Sequence, residues 1–274
     1  MPIVFGPITW VMMRRLVWIV AIALVAAACG GEAVAAPEPS PEATEITPQR
    51  RFEHPAPPPA DARPRFPGFE SVHEGVVALA AMAKGELEVF ESPGDPDPFL
   101  VLPYENILGS TTVVGVIGAP ADGWAEVSLA MRPNGSTGWI RTDEVDLFVV
   151  SGRIVVDLSD RSLSYYQDGV EVLTTQVAVG SSRSPTPTGL FYVTDSVTLT
   201  KAGTPWGPHA LGLSARSDHI TEFNGGDGII GIHGTSRPSS IGEAASMGCI
   251  RLHNEMITRL HALVPLGTPV EIRA

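Results

Sequence analysis

Apolar and polar positions fall into three regimes along this chain. Residues 16–28 are an unbroken apolar run, and residues 30–74 are rich in proline, alanine and glutamate with no period. From about residue 75 onward, short apolar–polar alternations take over, which is the pattern of half-buried strands. Residues 87–90, 112–117, 124–127 and 138–140 carry it first. Ser92-Pro93-Gly94-Asp95-Pro96, Asp122-Gly123 and Pro133-Asn134-Gly135 lie between them as turns. About five short strands joined by tight turns predict a small β-barrel over residues 75–149. A second β-rich unit is predicted over residues 150–274. Residues 153–158 and 164–166 lead through Gln167-Asp168-Gly169 into 170–173, a β-hairpin. Residues 176–179, 189–193, 228–232 and 270–272 add strands. Only residues 254–263 carry a helical period, with Met256, Ile257, Leu260 and Leu263 on one face and Asn254 expected as the N-cap. The fold class is mainly β.

The start of the chain has a different logic. Arg14 and Arg15 precede the apolar run, and Ala26-Ala27-Ala28 close it, which is the layout of a secretory signal over residues 1–29. The run is shorter than the roughly 20 residues that a membrane span needs. Cys29, followed by Gly30 and Gly31, resembles the lipobox of bacterial lipoproteins, although Ala26 stands where Leu, Val or Ile is usual. That resemblance makes Cys29 a lipidation site. Plain secretion and an uncleaved anchor are the alternatives. Each of the three places the remainder outside the cytoplasm, in the cell envelope. Residues 30–74, with Pro37, Pro39, Pro41 and Pro57-Pro58-Pro59, cannot bury enough apolar surface to order themselves and read as a tether.

Composition sharpens the class. With 274 residues, 44% of them hydrophobic, the chain can bury one large core or two small ones. A net charge of −12 argues against a nucleic-acid partner, which would require a basic face. It does not argue against a cell-wall ligand, which is recognised by local contacts.

The chemistry concentrates near the carboxyl-terminal end. Cys249 is the only cysteine beyond the leader. With Cys29 lipidated it has no intrachain partner, and a lone thiol in an oxidising compartment is a liability unless it is used. A thiol is mostly protonated at neutral pH and needs a base; His233, after the apolar residues 229–232, is the candidate. Gly248 lets the chain bend sharply and exposes the Gly248 and Cys249 amides, a candidate oxyanion site. Arg251 either holds a substrate carboxylate through a bidentate pair or braces the loop through a salt bridge.

These residues carry a family resemblance. Ile232-His233-Gly234-Thr235, Ser246-Met247-Gly248-Cys249-Ile250-Arg251-Leu252 and Ser184-Pro185-Thr186-Pro187-Thr188-Gly189-Leu190-Phe191 resemble, in order and spacing, the signatures of the L,D-transpeptidase (YkuD-type) catalytic domain. The two Gly/Trp strands before it, at Trp124 and Gly138-Trp139, resemble bacterial SH3-like domains. The implied architecture is a small SH3-like β-barrel followed by a β-rich L,D-transpeptidase sandwich with a short helix. Trp124 and Trp139 either fill that barrel's core, the expected placement, or line a groove. The implied reaction acts on peptidoglycan stem peptides: Cys249 as nucleophile, His233 as base, D-alanine released, 3→3 cross-links formed. No cofactor or metal is implied, and β-lactams of the carbapenem class are implied covalent inhibitors. Arg251, Gly234, Thr235, Ser246, Tyr192 and Trp206 are the candidate substrate-binding residues, with core packing the alternative for Tyr192 and Trp206. Many family members carry histidine where this chain has Met247, so a backbone carbonyl or similar group must orient the catalytic pair. His253 is expected at the helix start, facing solvent. Three other functions stay open at this point: an L,D-carboxypeptidase with the same residues, a zinc site using Cys249, His233 and His209 or His253, and a non-catalytic wall-binding lipoprotein.

Overall fold

A computed structural model describes residues 77–201, 203–223 and 226–274. The leader, the Cys29 lipidation site and the tether lie outside the described residues.

The first region contains β1 (Ala78–Ala83), β2 (Leu87–Val89), β3 (Leu100–Leu102), β4 (Val113–Ala121), β5 (Trp124–Ser128), β6 (Thr137–Arg141) and β7 (Val145–Val150). Five of these form an antiparallel sheet in the order β6-β5-β4-β1-β7, and β2 pairs with β3 in a separate hairpin. Asp122 and Gly123 both adopt positive φ (52° and 83°), as the tight turn between β4 and β5 requires. Strand alternation points Ala125, Val127 and Ile140 into the core with Leu87 and Val89. Trp124 and Trp139 sit one residue out of phase with that core and are half-buried, so they do not fill it as expected. Trp124 instead meets Phe90 edge-on at 5.2 Å between ring centroids.

The second region contains β8 (Gly152–Asp157), β9 (Ser162–Gln167), β10 (Val170–Gln176), β11 (Val179–Gly180), β12 (Gly189–Thr198), β13 (His209–Arg216), β14 (Ile229–His233), β15 (Ala244–Ser246), β16 (Ile250–Arg251), the helix α1 (Asn254–Leu263) and β17 (Pro269–Arg273). Eight strands make one continuous sheet in the order β10-β9-β8-β17-β12-β13-β14-β16. The β8–β17 and β14–β16 pairs are parallel; the other neighbours are antiparallel. Leu163 and Leu173 from one end of this sheet share a core with Ile232 and Ile250 from the other. A single sheet with both ends on one core must curl on itself, and this takes the place of the expected sandwich.

The two sheets are not separated by a gap. Ala80, Val113 and Val150 of the first belong to the same apolar cluster as Val193 and Val270 of the second. Tyr192 of β12 lies against Gly115 of β4, where an added Cβ would stand 3.1 Å from the ring.

On α1, Ile257 and Leu260 are buried and Met256 packs beside them. Leu263 leaves the expected face and is 46% exposed. The N-cap is His253, which is exposed, and not Asn254. Asn254 is the first helical residue, and its side chain is used elsewhere. No helix among the described residues is long and apolar enough to cross a membrane.

Candidate active site

The parallel pairing of β14 with β16 brings the chemistry together. Ile232 is in register with Ile250, and His233 with Arg251. In-register residues of neighbouring strands point to the same face. Both isoleucines are fully buried in the core, so His233 and Arg251 share the opposite face. One step back in that register sets Cys249 opposite Gly231. Gly231 has no side chain to displace the sulfur, and its backbone hydrogen-bonds to the thiol.

The turn that presents Cys249 is held by hydroxyls from distant sequence. Ser184 Oγ donates to the Met247 carbonyl at 2.9 Å. Thr186 Oγ1 donates to the Gly248 carbonyl at 2.9 Å and accepts from the Gly180 amide at 2.8 Å. Here lies the physical content of the Ser-Pro-Thr-Pro-Thr segment: it cradles the nucleophile turn. Gly248 has φ +111°, and a Cβ there would stand 3.0 Å from Ile230. Ser246, buried, donates its hydroxyl to the Cys249 carbonyl at 2.5 Å and accepts the Gly248 amide at 3.1 Å. This corrects two expectations. Ser246 braces the turn rather than facing a ligand, and the Gly248 amide is already committed. Among the described residues the Cys249 amide has no partner, so it is the amide left to meet an oxyanion.

The histidine side is locked by two glycines. A Cβ on Gly207 would stand 2.6 Å from Gly234 Cα, and one on Gly234 would stand 2.4 Å from Asn254 Oδ1. The two backbones therefore touch, and Asn254 Oδ1 accepts the Thr235 amide at 2.8 Å over that contact. The Thr235 hydroxyl accepts the Arg237 amide at 3.0 Å. Gly234 and Thr235 are thus both buried parts of the loop that sets His233. Asn254 is the supporting residue that sequence reasoning missed. Its position at a helix start drew it into a capping role that it does not play.

Trp206 and Arg251 are the candidate ligand contacts that do face the site. The Trp206 ring packs on the His233 ring at 4.5 Å between centroids, with Phe223 beyond it at 6.1 Å. Among the described residues, no carboxylate pairs with Arg251, and its Nε is buried without a partner. The loop-bracing salt bridge is therefore absent, and a buried, unpaired guanidinium donor is costly unless a ligand completes it. Tyr192 is a correction. It is 3% exposed, and its hydroxyl donates to the Ser128 carbonyl at 3.0 Å, so it packs between the sheets.

Burial is the main electrostatic influence. It pushes the His233 imidazole down to about 4, with the Gly234 carbonyl pulling upward, Arg251 adding to the fall and the Trp206 carbonyl opposing it. Nδ1 donates to the Gly234 carbonyl at 2.6 Å. Backbone carbonyls thus orient the ring, while Met247 is 56% exposed and contributes only its own carbonyl to the turn. Burial likewise pushes the Cys249 thiol up, against the Gly231 backbone and Arg251. At rest the thiol is protonated and the imidazole neutral. Beside the site, Thr235, Ser236, Pro238, His253 and Thr175 line an open depression of about 690 Å³. Among the described residues no three His, Cys, Asp or Glu side chains gather as metal ligands.

Comparison with known proteins matches residues 151–272 to the YkuD family model, described as the L,D-transpeptidase catalytic domain. The YkuD protein of Bacillus licheniformis is 39% identical over 120 residues, covering 44% of this chain and 64% of that relative. The Bacillus subtilis YkuD protein is 35% identical over 128 residues, covering 46% of this chain and 69% of the relative. The chain thus spans about two thirds of these relatives' length. The solved catalytic domain of an E. faecium L,D-transpeptidase is 26% identical and covers 44% of this chain and 95% of its own, at a TM-score of 0.33. An L,D-transpeptidase from Mycobacterium tuberculosis is 18% identical and covers 76% and 85%, at a TM-score of 0.38. With its signatures lodged at the β14–β16 face and over two thirds of the B. subtilis protein matched at that identity, this chain belongs to the YkuD-type L,D-transpeptidase family.

Proposed function

We propose that this chain is a peptidoglycan L,D-transpeptidase that forms 3→3 cross-links through an acyl-enzyme on Cys249. The observation that carries the reading is the shared face of Cys249, His233 and Arg251, with the Arg251 guanidinium unpaired and buried at Nε. His233 takes the thiol proton as sulfur attacks the carbonyl between the third stem residue and D-alanine. The oxygen's developing charge meets the free Cys249 amide. The C–N bond breaks, His233 returns the proton to the leaving amine, and D-alanine departs, leaving a thioester. A side-chain amine of a second stem then attacks the thioester, giving its proton to His233 and restoring the thiol. The two steps balance with no metal or organic cofactor.

Arg251 holds a carboxylate of the donor stem as a two-toothed pair, and Trp206 forms the wall beside it. Residues 75–149 form an SH3-like unit, and the leader with Cys29 anchors the chain at the outer face of the membrane, the tether spanning the distance to the wall. Carbapenems acylate the same thiol.

Intact-mass spectrometry after incubation with a carbapenem tests this. One adduct is expected on the wild type and none on Cys249→Ala. No adduct on the wild type, or one that persists in the variant, overturns the assignment. With disaccharide tetrapeptides, dimers should accompany released D-alanine; D-alanine without dimers would make the chain a carboxypeptidase.

A further inference from the structure

The first sheet grips the β13–β14 connection of the catalytic half through the turn between β5 and β6. Arg132 in that turn donates Nε to the Ser217 carbonyl at 3.1 Å and Nη2 to the Ile220 carbonyl at 3.2 Å. The same Nη2 donates to the Asp227 carbonyl. Asn134 lies beside it, accepting the Arg216 amide at 2.8 Å and donating to the Arg216 carbonyl at 2.7 Å. The Arg132 partners lie on the two arms of the β13–β14 connection, residues 217–223 and 226–228, and Arg216 is the last residue of β13. Gly228, at φ +71°, closes the arms so tightly that a Cβ would stand 2.8 Å from the Arg132 guanidinium.

What those arms carry matters for the site. Phe223 and Gly226 exchange backbone hydrogen bonds at 2.9 Å. Ile107, from the first region, packs on Gly226, and the neighbouring Asn106 donates to the buried Asp195 carboxylate at 2.7 Å. Phe223 meets Trp206, and Trp206 meets His233. A continuous path of contacts therefore runs from Arg132 to the wall of the cleft. A planar guanidinium can satisfy several carbonyls at fixed angles, which a lysine point charge cannot.

We propose that Arg132 is a positioning residue: by gripping the carbonyls of the β13–β14 connection, it sets Phe223 against Trp206 and so fixes the cleft wall beside His233. The first sheet is then part of the machinery for donor binding, in addition to any wall contact of its own. The proposal rests on the L,D-transpeptidase reading for what the cleft holds, but not for the mechanical link.

The test uses the full chain labelled with 5-fluorotryptophan, the Trp206 fluorine signal being identified by its loss in Trp206→Phe. Arg132→Ala and Phe223→Ala should each move the Trp206 signal. For a tetrapeptide donor, both should raise KM about tenfold with kcat nearly unchanged, since the wall orients the ligand and takes no part in proton transfer. The double variant should be no worse than either single one, because the two act along one path. Arg132→Lys should restore only part of the KM. Alkylation of Cys249 by iodoacetamide, which needs no wall, should keep its wild-type rate. An unmoved Trp206 signal in Arg132→Ala overturns the proposal, as does a joint fall of alkylation and donor acylation, which would mean general loosening. If the wild type releases no D-alanine from the donor, the catalytic reading falls while the fluorine comparison still decides the role of Arg132.

Discussion

The resting state of the Cys249–His233 pair leads to a sharp expectation for pH dependence. A thiolate–imidazolium pair reacts with an external alkylator at a level rate over the whole neutral range; a neutral pair does not. Here burial holds the thiol above its ordinary 9.0 and the imidazole down to about 4. At pH 7 the thiolate is therefore at most about 1% of the population, and the imidazolium about 0.1%. The perturbation is pH itself, applied to a Cys29→Ser protein so that one thiol remains. Iodoacetamide reacts with the thiolate, so alkylation followed by intact mass should quicken about tenfold per pH unit from pH 6 to 8 with no shoulder. Donor acylation differs because His233 supplies the base within the complex, so its rate should hold level down to about pH 5. His233→Ala should leave the alkylation slope intact and cut donor acylation by roughly 10²–10⁴. An alkylation plateau below pH 7, or equal loss of both reactions in His233→Ala, would refute the neutral pair.

Three further expectations concern the supports. Thr186→Val keeps the side chain's shape but strips two hydrogen bonds, one of them fully buried, from the nucleophile turn, and should cost about 1–3 kcal/mol of stability in urea melts; an unchanged midpoint would show that the cradle is dispensable. Gly234→Ala forces a methyl into Asn254 Oδ1 and the Gly207 backbone. It should cost about 1–3 kcal/mol and lower donor acylation more than alkylation, and a variant with wild-type acylation would contradict the interlock. Acid should also destabilise the fold through His233. Its folded value of about 4 lies below the ordinary 6.5, so the stability it contributes is complete above pH 6.5 and drains away as pH falls toward 4. The loss amounts to about 3 kcal/mol, and His261, also held near 4 by burial, acts in the same direction. Urea midpoints at pH 7 and 4.5 should show the drop, and His233→Gln should shrink it; an equal drop in both proteins would remove His233 as the cause.

Much of this was legible in the residues, and the failures share a cause. Strands with one wet face announced themselves through alternation, as β8, β9 and β5 did, and the Asp122-Gly123 and Asp168-Gly169 turns carry the positive φ that their chemistry invites. β13 did not, because six of its eight residues are buried, so no alternation marks a strand between β12 and β14. The same effect misled the reading of Tyr192, whose ring faces the other sheet. Within the site, the nucleophile and its histidine stood out by type and spacing. The commitments of Ser246, Thr235 and Gly248 to backbone partners did not, since a hydroxyl's partner depends on which loop folds over it. Asn254 was misread for a similar reason: its carboxamide serves a loop that sequence places far away.

The place of β17 between β8 and β12 has a consequence for the order of folding. β8 pairs on one side with β9, its hairpin neighbour, but on the other with a strand that follows some 116 residues later. Until residues 269–273 arrive, β8 and β12 each present an unpaired edge, and the halves of the sheet cannot join into one core. Closing so long a loop is slow compared with forming hairpins. Partial chains therefore hold β10-β9-β8 and β12-β13-β14-β16 as two separate pieces, and the parallel contact that carries Cys249 and His233 lacks the shared core behind it. Nucleophile and base are buried together on a complete core only in a molecule whose strand β17 is seated, so donor acylation at Cys249, which needs both, reports completion of the fold.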